Sequence, residues 1–384
     1  MNLISLLRAF PAEPGWGINA IKKTDRQAML NLQNQVVMEE KKKTGKDREQ
    51  EIIALAKKRF TECMEQQNKF RADAKSDLKF SRKGEQWTEE DKTSRKGRPC
   101  LTINKTNTFV NYAVNEIKQN KPQIKVRPFD DKADINTAAV INGIIRHISS
   151  DSNLDGAIDC AAGGAVAGGM GFLRLITEYE DGSFNQKAMI KRISNAFRVI
   201  VPFHLCDEED FSDAPYGFIL TKLTTKEYKE KYGDDPADWD CQKDDLWKSE
   251  KDVTIAEYYT RETIKKTLVQ LSTGEILYKE DLPKELPPEI IIVQERECEG
   301  KEVKWYKLSS ASILDETDWP GKYIPIIAIM GQEVDVDGEK DFISLTRYAK
   351  DPQKAFNYLK SKEAETIGLA PIAPFIISEG QLGD

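Results

Sequence analysis

The stretch from Arg98 to Pro128, RPCLTINKTNTFVNYAVNEIKQNKPQIKVRP, limits what this chain can fold into more than any other. Leu101–Ile103 alternates like a short strand, and Asn104 is the expected N-cap of a following helix, because its side-chain oxygen can accept from first-turn amides. Phe109, Val110, Ala113, Val114 and Ile117 recur at the spacing of one helical face, while Asn107, Asn111, Asn115 and Lys118 fall opposite. Lys121-Pro122 stops the helix, since a residue before proline is pushed out of the helical region, and Ile124 and Val126 alternate as a second strand. The pattern predicts a strand, a helix and a strand, with the apolar helical face docking a long N-terminal helix onto a sheet. On that reading Phe109→Ala costs about 3–5 kcal/mol in denaturant unfolding, the usual loss for a buried aromatic ring.

Charge divides on either side of this stretch. Residues 1–130 hold 27 Lys/Arg against 17 Asp/Glu, and residues 131–384 hold 30 against 47, so a net −7 conceals a basic first third and an acidic remainder. A chain this acidic, with a pI near 5.3, is poorly suited to grip nucleic acid by neutralising phosphates. The mean hydropathy of −0.57 and the short apolar runs leave no stretch near the about 20 residues of a membrane helix. Cys63, Cys100, Cys160, Cys206, Cys241 and Cys298 lie far apart with no CxxC pair, which reads as scattered reduced thiols and not a zinc site. With His147 and His204 the only histidines, a Ser/His/Asp triad has little to draw on.

Residues 1–46 read as an arm with a Lys41-Lys42-Lys43 run, followed from Asp47 to about Ala74 by an amphipathic helix with Ile52, Leu55, Ala56, Phe60, Cys63 and Phe70 on one side. Thr88–Lys96 reads as an exposed loop, and helices are expected over 133–148 and 155–169. The glycines from Gly164 to Gly171 lack the Lys-Ser/Thr of a phosphate loop and precede a strand where such a loop would follow one, so they predict close helix packing and no cofactor. Strands follow at 172–179, 187–193, 216–223, 253–261, 267–271, 289–294, 303–308 and 323–330, with a capped helix at 225–232. Asp207, Glu208, Asp210 and Asp213 crowd one loop without the spacing or glycine of a calcium loop. Phe342–Ile367 reads as a helix broken at Asp351-Pro352, and Leu369–Ile376 as an extended, proline-fixed segment.

The order DLKFSRKGEQW, a polar gap, then RPCLTINKTNTFVNYAVNEIKQNKPQIKVRP resembles the N-terminal part of portal proteins of tailed double-stranded DNA phages, the short-tailed enteric branch in particular. The resemblance covers nearly all of residues 47–384 and about the first half of a family member. It implies an α+β fold with an arm over 1–46, a wing over 47–340, the first of two channel-lining stem helices over 341–370, and the start of the clip over 371–384. It further implies a non-enzymatic subunit of a twelve-membered ring at one vertex of the virion head, assembled in the host cytoplasm. Its partners would be the terminase large subunit, capsid and scaffolding proteins, tail or head-completion proteins, and duplex DNA passing through, with no cofactor, metal or membrane. Head-to-tail contacts join the subunits of a ring, and Asp351, Gln353 and Asn357 are expected in that contact. Two rival readings are a metal-dependent phosphoryl- or nucleotidyl-transfer enzyme using the 207–213 carboxylates, and a DNA-binding module using the basic residues 41–98.

Overall fold

The computed structural model describes residues 23–120, 123–128, 134–233, 252–272, 274, 276–282 and 291–369, with backbone alone for 23–45 and 281. Residues 1–22 of the expected arm and 371–384 of the expected clip lie outside the described residues. The chain divides after Leu55 into two compact units. In the first, every described residue belongs to the opening helix, α1 (Lys23–Leu78). The second holds the remaining elements and combines helices with three sheets, an α+β fold.

From Phe60 onward α1 buries Phe60, Cys63, Phe70 and Ala74, while Leu55 stays exposed. Its polar side chains act as well: Gln67 donates to the Val201 carbonyl at 2.6 Å, and Arg71 donates to the carbonyls of Val199 (3.0 Å) and Phe197. Those bonds cover strand β3 (Val199–Ile200), an edge that would otherwise present unpaired backbone. Past Leu78 the chain widens into one π-helical turn, Lys79–Lys83, closed by Gly84 in the left-handed region. Thr88–Lys96 is not a loop: α2 (Glu89–Ser94) forms there, because Thr88 and Asp91 complete a reciprocal capping box.

Helix α3 (Lys105–Gln119) begins at the expected cap, Asn104 accepting from the Asn107 amide. Its buried stripe differs from the expected one. Thr106, Val110 and Val114 face inward, the two valines against Leu78 and Ala167, whereas Phe109 is 62% exposed and Tyr112 71%. A polar anchor at Thr106 rotates the inward face away from Phe109. Leu101–Ile103 and Ile124–Val126 form no strand; Val126 instead exchanges two 2.8 Å hydrogen bonds with the Asn142 side chain. Asn142 belongs to α4 (Ile135–Asp151), where Ala138 is buried and Ile135, Ile141 and Ile144 lie exposed.

Helix α5 (Leu154–Gly168) runs into β1 (Met170–Tyr179) through the glycine segment. Gly169 takes φ +84°, and a Cβ on Gly171 would fall 1.8 Å from the Ala161 carbonyl oxygen, so helix and strand approach as closely as backbone allows. β1 pairs antiparallel with β2 (Gln186–Ile193) and β9 (Ile326–Met330). The larger sheet runs β3, β4 (Tyr216–Thr224), β5 (Asp252–Leu271), β7 (Ile292–Leu308), β8 (Ile313–Trp319), with β6 (Ile276–Tyr278) beside β5. The strands expected at 253–261 and 267–271 are one continuous strand, paired to β7 from Ala256 to Leu271. Between Arg261 and Thr267 both faces meet solvent more than core, which erases the alternation that would announce a strand. Helix α6 (Thr225–Tyr232) follows the Thr224 cap and ends at Gly233. β10 (Gln332–Val336) and β11 (Glu339–Ile343) form a hairpin turning at Asp337-Gly338.

The main core gathers Phe70, Phe172, Phe203, Phe211, Tyr259 and Phe342, with Phe203 and Phe342 edge to face at 5.5 Å. No described helix is long and apolar enough to cross a membrane. Truncation of the buried Val110 to alanine should cost about 2 kcal/mol, two methylene equivalents plus a cavity, while Phe109→Ala should cost under about 1 kcal/mol, both read by urea unfolding.

Candidate functional site: the C-terminal helix and its strap

Helix α7 (Leu345–Leu369) contains Pro352 and yet does not break there. An interior proline removes one backbone bond and costs about 3 kcal/mol, so the surroundings must hold both sides of it. Before the proline, Arg347 and Lys350 reach the fully buried Asp77 at 3.2 and 2.5 Å, and the Ser344 hydroxyl donates to the same carboxylate at 2.7 Å. Two cations and a hydroxyl on one sequestered carboxylate compensate its lost hydration, and removing either side would strand a charge.

After the proline three neutral side chains do the holding, with one buried carboxylate at the far end. Gln353, Asn357, Ser361 and Glu365 recur every four residues and are all buried. Residues 99–106, an extended run that passes into the first turn of α3 at Lys105, lie along this stripe as a strap. The Leu101 amide donates to Ser361 Oγ (2.9 Å), the Ile103 amide to Asn357 Oδ1 (3.1 Å), and the Lys105 and Thr106 amides to Gln353 Oε1 (3.0 and 3.1 Å). Gln353 Nε2 returns a bond to the Ile103 carbonyl at 2.7 Å, and Asn357 Nδ2 donates to Gln86 at 2.6 Å. Two residues of extended chain advance about 6.6 Å and four of helix about 6 Å, so alternate strap amides meet every fourth helix residue. At the far end Arg95 reaches Glu365 at 3.2 Å and lies over the Tyr358 ring.

Burial pushes the Glu365 carboxyl up, but Lys362, Arg98 and Arg95 outweigh it and hold the group below the usual carboxylate range. A depressed carboxyl contributes stability above its unfolded value, and that contribution is lost as pH falls through the folded one.

Of the three residues expected in a subunit contact, Gln353 and Asn357 therefore have their polar groups bound inside the chain, and Asp351 is exposed. The outward face of α7 also carries Tyr348, Tyr358, Leu359 and Ile367, all more than half exposed. Period reading missed the buried stripe because amides and hydroxyls register as surface; the usable signal was their four-residue repeat beside a strap without a pairing partner.

The carboxylate loop converges on its own backbone. Asp213 accepts from the Asp207 amide at 2.5 Å, Asp210 from the Ser212 amide at 2.9 Å, and Arg261 donates to the carbonyls of Ser212 and Asp213. Among the described residues no group of three or more His, Cys, Asp or Glu side chains is arranged to hold a metal ion. His147 and His204 both lie exposed.

Gln353→Ala would leave the Thr106 amide without its acceptor and reduce the Lys105 amide and the Ile103 carbonyl to the bond they make with each other, and should cost about 2–3 kcal/mol in urea unfolding. Glu365→Gln should be less stable than the parent at neutral pH, with the difference vanishing below about pH 4, in a series of unfolding curves.

The sequence profile of the family described as Phage P22-like portal protein matches residues 57–384. A portal protein from Acyrthosiphon pisum secondary endosymbiont phage 1 is 25% identical over 291 residues, which cover 70% of this chain and 40% of the relative. Strap, stripe and sheets all fall within the matched span, and the chain belongs to the P22-like phage portal protein family.

Proposed function

We propose that this chain forms part of a subunit of a phage portal ring, the structural channel at one head vertex through which DNA is packaged and later ejected. The observation that carries the reading is the family match across residues 57–384, which takes in the whole α+β body and α7. The chain spans 40% of the curated relative's length, and the roles of the whole protein are part of the proposal. Residues 47–340 serve as the wing, α7 as a stem helix lining the channel, 371–384 as the entry to the clip, and 1–46 as an arm. Twelve copies close the ring, which docks the terminase large subunit during packaging and tail or head-completion proteins afterwards, with capsid and scaffolding proteins around it. The subunit resides in the virion.

Several features support this. A channel subunit needs a rigid helix whose outer face is free for neighbours, and α7 is held along one side while Asp351, Tyr358 and Leu359 face outward. Asp351 stays in the proposed subunit contact; Gln353 and Asn357 support it from within. An acidic subunit lets a duplex slide without being gripped. Packaging energy would come from the terminase, the portal acting as conduit.

Electron microscopy and light scattering of the intact protein should show twelvefold rings, and a monodisperse monomer under all conditions would reject the proposal. Purified protein with magnesium should neither hydrolyse nucleotide nor cut DNA; turnover abolished by Asp210→Ala would favour the enzymatic alternative.

A further inference from the structure

The asparagine face of α3 plays no part in the core, yet it lines a cleft of about 400 Å³ between α3, α5 and the end of α1. Arg82 stands at this cleft on the π-helical turn, a rare widening that re-aims the side chains it carries. Its guanidinium donates to Asn111 Oδ1 at 2.9 Å and to Asn107 Oδ1 at 3.4 Å. Amide oxygens orient a guanidinium without neutralising it. The carboxylate in the cleft, Asp159, is engaged by Lys118 at 3.6 Å. No carboxylate among the described residues lies within ion-pair distance of Arg82, and a Cβ on Gly163 would meet nothing but that guanidinium, at 3.9 Å. The result is a fixed, exposed cation in a concave site lined with amide donors, which suits a carboxylate: a planar acceptor that an arginine fork binds through two bonds.

The chain also carries a matching group. In the acidic loop Asp210 and Asp213 are tied to backbone amides, Phe211 is buried at φ +58°, and Arg261 fixes the loop carbonyls. Glu208 and Glu209 are left exposed at its tip, with no cation within ion-pair distance among the described residues. A loop already locked in shape loses little freedom on docking. The loop contributes nothing to the lining of the cleft, so the two are separate patches of one subunit. Complementary patches on different faces make a head-to-tail contact, the kind that repeats around a ring. A duplex is the poorer occupant, since a single cation can release few counterions.

We propose that the Arg82 cleft receives a carboxylate of Glu208 or Glu209 from a second copy of this chain, an inference that rests on the ring reading. Sedimentation velocity of the intact protein tests it by comparing the parent with Arg82→Glu, with the pair Glu208→Lys/Glu209→Lys, and with all three changes together. Either reversal should raise the concentration for half-assembly by about tenfold or more, and the combination should return it to within about threefold of the parent. Added salt should weaken the parent's assembly. The loop pair is exposed and keeps the test valid if Arg82→Glu misfolds, and Arg82→Gln should then give the same direction of change. Assembly of the reversed variants at the parent's concentration overturns the cleft contact and leaves the ring standing, as does failure of the combination to recover. A parent that never associates overturns both.

Discussion

An extended segment packed on a helix without a partner strand has to place its amides and carbonyls somewhere, and in this chain they go to side chains. The strap at 99–106 has no neighbouring strand, so α7 supplies Gln353, Asn357 and Ser361 in place of a ladder. The same device recurs at Val126, whose amide and carbonyl both close on Asn142. Because the strap leads into α3 through Asn104, which also donates to the Ser81 carbonyl at 2.7 Å, its seat on α7 fixes where α3 starts. That in turn sets which residues of α3 meet Leu78 and Ala167. A matching of backbone groups to amides thus orders three helices at once.

Much of this was readable in advance. The cap at Asn104, the short capped helix at 225–232 and the tight glycines before β1 all depend on local chemistry, and local chemistry is written in consecutive residues. What escaped was set by distant partners. Leu101–Ile103 and Ile124–Val126 alternate as strands do, but alternation records an extended backbone and cannot say whether a strand or an amide will answer it. Phe109 looked like an anchor because it is aromatic and in phase with Val110; Thr106, bound by Gln353, turned the helix by one position. Gln353 and Asn357 looked like surface for the matching reason.

Pro352 shows the same dependence. A proline preceded by aspartate is a sound stop signal when the helix stands alone. Here Asp77 holds the turn before it and the strap the turns after it, so the helix tolerates a missing rung on its solvent side. The ion cluster and the amide ladder divide the work by chemistry: charge sequestered where α1 passes, neutral donors and acceptors where backbone must be matched.

The antiparallel run of the strap on α7 also has a mechanical meaning. Its rungs lie across the helix axis, at 353, 357 and 361 against 105, 103 and 101. A load along the axis strains them all together, in shear, and yields only when several fail at once. A load that lifts the strap away opens them singly, as a zip opens. Such a joint is stiff lengthwise and releasable sideways, and the direction of an applied force, more than its size, decides which behaviour it shows.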